Sequence, residues 1–204
     1  MAELNPWLVL AALPLVLGMA TAFTKASVVL GALRVGLGAE VLLPWSAMLA
    51  LALVITGVVM TPVALDTVAA IEAAGGTAAL FDPAGAAGAP IPWDSVTAPW
   101  LDFLGRHAAA DERLLFAELQ QVDPLDPRAV VPGFLVTELG EALHMAVLVL
   151  LPLVLVDLVV VQVLTLLGLS AAPGPRVTLP LKLLLFLGAG GWDVVIRGLV
   201  EGYA

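Results

Sequence analysis

The chain has 204 residues, of which 61% are hydrophobic and 12% charged, and its mean hydropathy is +1.08. Soluble domains carry about 25% charged residues, so this composition excludes a single soluble domain and indicates an integral membrane protein. A net charge of −9 with only eight Lys and Arg residues excludes the basic surface that nucleic-acid binding requires. Cysteine is absent, which excludes disulfides and thiolate metal sites.

Residues 1–65 are predicted to form an N-terminal pair of apolar helices. Segments 4–24 and 41–65 contain no charged residue, and each has the roughly 20 residues that a helix needs to cross a bilayer. The start of the chain lacks the positive charge of a signal peptide, although the small residues at 17–22 could serve as a cleavage site.

Residues 66–131 have the composition of a domain that faces water, with ten acidic residues against three arginines. The Gly-, Ala- and Pro-rich stretch 81–92 is predicted to be a loop tip. Beyond it, apolar residues recur at helical spacing, which predicts two short amphipathic helices with Asp94 and Asp111 as N-caps.

Residues 132–204 are predicted to form a C-terminal pair of apolar helices. The first segment, 134–169, is too long for one upright span and must tilt, kink at Pro152 or extend beyond the bilayer. The second, 179–200, contains a glycine cluster at 188–191, where small residues favour close helix packing.

Ionisable side chains inside these apolar segments are costly unless they meet a partner or a polar interior. Asp157 is flanked by apolar residues on both sides and is expected to be buried, with Lys182 on the neighbouring helix as one option for its partner. Snorkelling to the membrane boundary is the alternative for Glu138, Lys182 and Arg197. The candidates for buried or assembly charges are Lys25, Arg34, Glu138, Asp157 and Lys182.

Catalytic and cofactor patterns do not support an enzyme. The spacing Glu138, Glu141, His144 resembles one element of a di-iron site, but the second Glu-x-x-His that such a site needs is missing. HExxH, Walker A and GxSxG motifs are also missing. We therefore expect no cofactor, no metal and no enzymatic activity.

Orientation follows from the positive charges near the ends of the apolar segments, because cytoplasmic flanks retain Lys and Arg. Lys25 and Arg34 lie between the first two segments, and Arg176 and Lys182 lie between the last two. Both connections should face the cytoplasm, which puts residues 66–131 in the periplasm of a bacterial inner membrane. Arg197 near the other end argues mildly against this orientation.

Several short motifs, in order along the chain, resemble the FliP/SctR family of type III secretion export-gate subunits. In the C-terminal half these are residues 178–186 (TLPLKLLLF) with Gly191-Trp192, residues 132–139 (PGFLVTEL) and residues 152–158 (PLVLVDL). The N-terminal half adds Phe23-Thr24-Lys25, residues 29–34 (VLGALR) and residues 60–63 (MTPV). Departures from the family pattern occur at Val35, at Pro44-Trp45 and at Gly190.

The resemblance implies an all-α fold of membrane-associated helical hairpins with an acidic extracytoplasmic helical domain, assembling into a helical conical pore. It also implies a homo-oligomer of about five copies with FliQ/SctS-like and FliR/SctT-like subunits, in contact with membrane lipid and with exported unfolded proteins. The injectisome branch is favoured by Lys25 and the run 27–29.

The turn between the last two apolar segments is expected to form the pore constriction, at Leu169, Ser170, Ala171 and Ala172. Flagellar members of the family are rich in methionine there, and this chain is not. An ion-coupled secondary transporter remains the alternative function, because a membrane Asp and Lys could relay protons. The inverted repeats of such transporters are not visible in the apolar segments.

Overall fold

A computed structural model describes residues 18–76, 93–169 and 175–203, and all regular secondary structure in these ranges is helical. This confirms the predicted all-α class. The helices of the described residues are α1 (Phe23–Leu37), α2 (Trp45–Ala73), α3 (Trp93–His107), α4 (Ala110–Gln120), α5 (Pro127–Leu166), α6 (Pro175–Gly188) and α7 (Gly191–Glu201). The chain divides into two units, one from 1–21 and 57–137 and one from 22–56 and 138–204, and α2 and α5 contribute residues to both.

Helices α2 and α5 are long and apolar enough to cross a membrane, with 29 and 40 residues. Helix α5 runs unbroken through Pro152. At 1.5 Å per residue it is roughly 60 Å long, about twice the hydrocarbon thickness of a bilayer. The segment is thus one continuous helix, and whether it tilts in a bilayer or extends beyond it stays a prediction.

A helix occupies residues that the hydropathy pattern assigned to a connection. Helix α1 contains both Lys25 and Arg34, and it ends where Gly38 adopts a left-handed conformation with φ +67°. Arg34 then holds the following turn, because its Nε donates to the Leu43 carbonyl at 2.6 Å and its Nη2 to the Glu40 carbonyl at 3.1 Å. Most of the predicted connection between the first two apolar segments is therefore helical.

The unit that contains α3 and α4 confirms two short helices after the predicted loop tip, which itself lies outside the described residues. The N-cap predictions were wrong, since α3 begins at Trp93 and the N-cap of α4 is Ala109. The Ala109 N–H is satisfied by the Thr137 hydroxyl at 2.9 Å. Asp94 and Asp111 lie in the first turns instead, where negative charge favours the helix dipole.

In the same unit, the start of α5 packs closely on α4. Gly133 allows this approach, because a Cβ there would lie 3.2 Å from the backbone nitrogen of Arg113. Asp126 precedes α5 and accepts hydrogen bonds from the Arg128 backbone and guanidinium. These bonds lower the pKa of Asp126 to about 2.

The second unit is built around α1. Its apolar face supplies the most buried residues of this core, Val29, Leu30, Leu33 and Leu37. Residues of α2, α5, α6 and α7 pack against them, including Met48, Ala52, Ile55, Ala142, Leu153, Phe186, Val195 and Leu199. A central helix that is buried on most sides can carry charged residues only if they find partners within the unit.

The last apolar segment is not the single helix that the sequence predicted. Helices α6 and α7 meet at an angle of 60° across Ala189 and Gly190. Gly190 has φ +65°, which only glycine adopts without strain. The glycine cluster therefore makes a bend, and the pair counts as a third possible span only if α6 and α7 cross together.

Candidate functional site

The first candidate site is a buried group of Lys25, Glu138, Glu141 and Tyr203, called here the Lys25 cluster. Lys25 Nζ lies 3.2 Å from Glu138 Oε1 and 2.6 Å from Glu141 Oε2. The Tyr203 hydroxyl donates to Glu138 Oε2, and the Tyr203 ring centroid is 4.1 Å from Lys25 Nζ. Helices α1 and α5 and the turn after α7 thus meet at one lysine.

Burial explains why this lysine has several partners. Lys25 and Glu138 are each 1% exposed, and a buried charge needs both an opposite charge and satisfied hydrogen bonds. Glu141 is half exposed, so water screens the second carboxylate. Burial, and next the facing Glu138 carboxylate, raise the pKa of the Tyr203 phenol, which therefore stays protonated and remains a donor.

The second candidate site, called here the Lys182 cluster, consists of Lys182, Asp157 and the Gly36 carbonyl. Lys182 Nζ lies 2.7 Å from Asp157 Oδ2 and donates to the Gly36 carbonyl oxygen at 2.8 Å. Asp157 is on α5, Lys182 on α6 and Gly36 at the end of α1. Gly36 also allows this end of α1 to lie close to α5, since a Cβ there would be 2.4 Å from Leu150 Cδ2.

The two clusters fix the direction in which the helices run. Lys25 and Gly36 are near opposite ends of α1, and their partners on α5 follow in the same order. Helices α1 and α5 are therefore parallel, and the chain runs back in the opposite direction from Lys182 on α6 to Tyr203 after α7. Each end of α1 is joined to α5 through a buried lysine.

All five predicted charge candidates lie in the second unit, and their placement corrects one interpretation. Glu138 and Lys182 are 1% and 6% exposed, so snorkelling was wrong for both of them. Arg197 instead pairs with Asp193 on the surface of α7, at 2.8 Å. Lys25 and Lys182 are both buried in ion pairs, and the orientation in the membrane stays a prediction.

The predicted pore-constriction residues lie at the end of α5. Gly168 has φ +72° and turns the backbone after the helix, and Leu169 is 57% exposed. The other three residues, Ser170, Ala171 and Ala172, lie outside the described residues. Their role in a constriction stays a prediction.

Sequence reasoning missed Tyr203 and the Gly36 carbonyl. Tyr203 is the only tyrosine in the chain and lies beyond the last apolar segment. The hydropathy pattern therefore did not identify it as a buried or functional residue. A backbone carbonyl has no signature in a sequence. The spacing of Glu138 and Glu141 suggested only a comparison with metal-binding sites. Within the described ranges no group of three metal-ligating side chains is present, and both glutamates bind Lys25.

Comparison with known proteins defines the class of this all-helical membrane protein. The FliP family model matches residues 7–199, and the chain belongs to the FliP family. It is 32% identical to the virulence protein YscR of Salmonella typhimurium, over 96% of this chain and 93% of that protein. It is 33% identical to the hypersensitivity response secretion protein HrcR of Ralstonia nicotianae, over 95% and 93%.

A flagellar relative is nearly as similar. The flagellar biosynthetic protein FliP of Caulobacter vibrioides is 30% identical over 96% of this chain and 73% of that protein. The family resemblance is therefore confirmed, with relatives in both branches. The preference for the injectisome branch stays a prediction.

Proposed function

We propose that this chain is a core subunit of the type III secretion export apparatus and forms part of the gated pore through which unfolded proteins leave the cytoplasm. The FliP family match over residues 7–199 carries this proposal. Relatives named for secretion and for flagellar biosynthesis cover nearly the whole chain at about a third identity. The function requires no enzymatic chemistry.

The exposed surface of α5 supports an assembled state. In the most apolar stretch of 18 residues on α5, only 11% is buried within the subunit. The whole helix is roughly 60 Å long. Lipid covers about 30 Å of a helix, so part of this apolar surface needs protein partners. We propose that these are about four further copies of the chain, together with FliQ/SctS-like and FliR/SctT-like subunits.

We also propose a location in the bacterial inner membrane with residues 66–131 in the periplasm. The acidic composition of these residues supports an aqueous location. With Lys25 and Lys182 buried, the positive charges that support this orientation are Arg34 and Arg176. The domain boundaries at 65 and 131 belong to the same proposal.

The geometry of the two clusters does not support the alternative function of an ion-coupled secondary transporter. A proton relay needs a carboxylate that can gain and lose a proton along a path. Asp157 is instead held in an ion pair with Lys182 at 2.7 Å, and Glu138 is held by Lys25 and Tyr203. These contacts suit a fixed structural role.

The test is complementation of a strain from which the gene has been deleted. The tagged chain should restore secretion of type III substrates and should co-purify with the two smaller families of export-gate subunits. A matched control is Arg197→Gln, which removes one partner of the exposed pair on α7 and should behave as the parent. Normal secretion in the strain that lacks the chain would contradict the proposal.

A further inference from the structure

Tyr203 contacts both members of the buried ion pair in the Lys25 cluster. Its ring lies 4.1 Å from Lys25 Nζ, a distance at which a cation is attracted to an aromatic face. Its hydroxyl donates to Glu138 Oε2, whereas Lys25 occupies Oε1 at 3.2 Å. The Tyr203 side chain therefore contacts both the Lys25 ammonium group and the Glu138 carboxylate.

The carboxylate depends on this hydroxyl. Glu138 is 1% exposed, so water cannot replace a missing donor at Oε2 without opening the cluster. Burying an unsatisfied charged acceptor is costly because it loses its hydration and gains nothing in return. Phenylalanine at position 203 would keep the ring over Lys25 and leave Oε2 without this donor.

The backbone next to Tyr203 is shaped for this approach. A Cβ at Gly202 would lie 3.6 Å from Lys25 Nζ, so a longer side chain there would meet the lysine. One turn earlier, Gly198 lies against Met145, where a Cβ would be 3.0 Å from the methionine Cε. The end of α7 and the turn after it are therefore in close contact with α5 and α1.

We propose that Tyr203 is a positioning residue, a latch that orients Glu138 towards Lys25 and fastens the end of α7 onto α1 and α5. The latch acts within the folded subunit, so it goes beyond the proposed export function and does not depend on it. Lys25 and Glu138 hold α1 to α5, and Tyr203 extends the same cluster to α7.

The test is a double-mutant cycle on the purified full-length chain in detergent, read by its thermal unfolding midpoint. Tyr203→Phe should lower the midpoint by about 5 °C, the shift expected for a hydrogen bond to a charged group in a chain of this size. Tyr203→Leu, which also removes the ring from Lys25, should lower it further. Arg197→Gln, on the exposed face of α7, is the control and should leave it unchanged.

The decisive comparison is Tyr203→Phe in the Glu138→Met background, because methionine has a similar length and no oxygen that could accept the hydrogen bond. If Tyr203 acts through Glu138, the effect of losing the hydroxyl should largely disappear there, because contacting residues are not additive. An equal shift in both backgrounds would show that the Tyr203 hydroxyl does not act through Glu138 and would overturn the proposal.

A second measurement covers the case in which Glu138→Met does not fold. Fluorotyrosine incorporated into the chain gives one resonance, because Tyr203 is the only tyrosine. Lys25→Met should shift this resonance, and Arg197→Gln should not. A resonance that neither variant moves would contradict the latch. Secretion assays on the same variants test the export function separately, so the two proposals can fail independently.

Discussion

The two charged side chains of the Lys182 cluster are buried to different extents. This difference determines which of the two substitutions the protein should tolerate better. In the Lys182 cluster, the lysine side chain is 7% exposed and the Asp157 side chain is 38% exposed. An aspartate that loses its lysine can still turn towards water or a polar neighbour. A buried lysine that loses its aspartate keeps only the Gly36 carbonyl as a partner. The two single substitutions should therefore differ in severity.

Asp157→Leu is expected to reduce recovery of the multi-subunit complex more strongly than Lys182→Met. Leaving a buried charge unpaired costs about 3 to 5 kcal/mol. Only Asp157→Leu leaves a buried charge, that of Lys182, without its ion-pair partner. The measurement is the amount of complex recovered from equal amounts of membrane. Asp193→Asn, in the exposed pair with Arg197, is the control. Normal assembly of both variants would show that the pair is dispensable.

At this scale the sequence predicted a buried Asp157, whereas its side chain is 38% exposed within the subunit. Asp157 was expected inside because apolar residues surround it in the chain, and a like argument gave Lys182 as one option for its partner. The pairing of Lys25 with Glu138 joins residues more than 100 positions apart. Such a contact depends on how α1 packs on α5, which hydropathy does not encode.

The bend between α6 and α7 shows how an element can deviate from its hydropathy pattern. Apolar residues on both sides of Gly190 suggested one helix, but the left-handed backbone of this glycine redirects the chain. Gly191 then allows contact with the Phe186 ring, since a Cβ would lie 2.3 Å from it. The ring is fixed by an edge-to-face contact with Trp192, at 5.3 Å between centroids.

Gly191→Ala is expected to destabilise the subunit by about 1 to 3 kcal/mol, as overpacking of a well-packed site typically does. Phe186→Leu should partly restore stability in the double variant, because it removes the ring that the new methyl group meets. The unfolding midpoint of the purified chain measures both effects. Gly188→Ala is a matched control, since a Cβ there meets nothing within 4 Å. Additive losses in the double variant would contradict this packing argument.

Long helices were predictable and short interruptions were not. Helices α2 and α5 follow from continuous apolar runs that no other element can accommodate. Helix α1 was missed because Lys25 and Arg34 suggested a water-facing connection. In the structure the first is buried with two glutamates and the second binds backbone carbonyls. Charged residues in a sequence indicate a solvent-exposed segment only when the folded protein provides no buried partners for them.

At the scale of the whole molecule, the orientation in the membrane stays a prediction. Residues 66–131 should be periplasmic if Arg34 and Arg176 mark the cytoplasmic connections. An alkaline phosphatase fusion near Gly88 should then be active and a fusion near Gly174 inactive. Expression levels of the two fusions provide the control. The reverse pattern of activity would refute the orientation.

The turn after α5 is where we expect the closed gate. Gly168, with φ +72°, ends the helix, and Pro173, Gly174 and Pro175 follow within a few residues. We expect a turn here that meets water or protein, because backbone polar groups without intrahelical partners cannot face lipid. Methionine would seal around a passing chain because it adapts to irregular shapes. Leu169, Ser170, Ala171 and Ala172 fill less space, so the seal should be looser or should depend more on partner subunits.

Deleting residues 170–172 is therefore expected to raise small-ion leakage through the resting complex and to leave assembly intact. Assembly should survive because the buried lysine clusters lie elsewhere, on α1, α5 and α6 and in the turn after α7. Conductance of the purified complex in planar bilayers measures the leak, and recovery of complex measures assembly. A control substitution, Ser170→Ala, keeps the length of the turn and should change conductance less. Unchanged conductance in a properly assembled deletion variant would show that the turn is a connector and that the constriction lies in another subunit or segment.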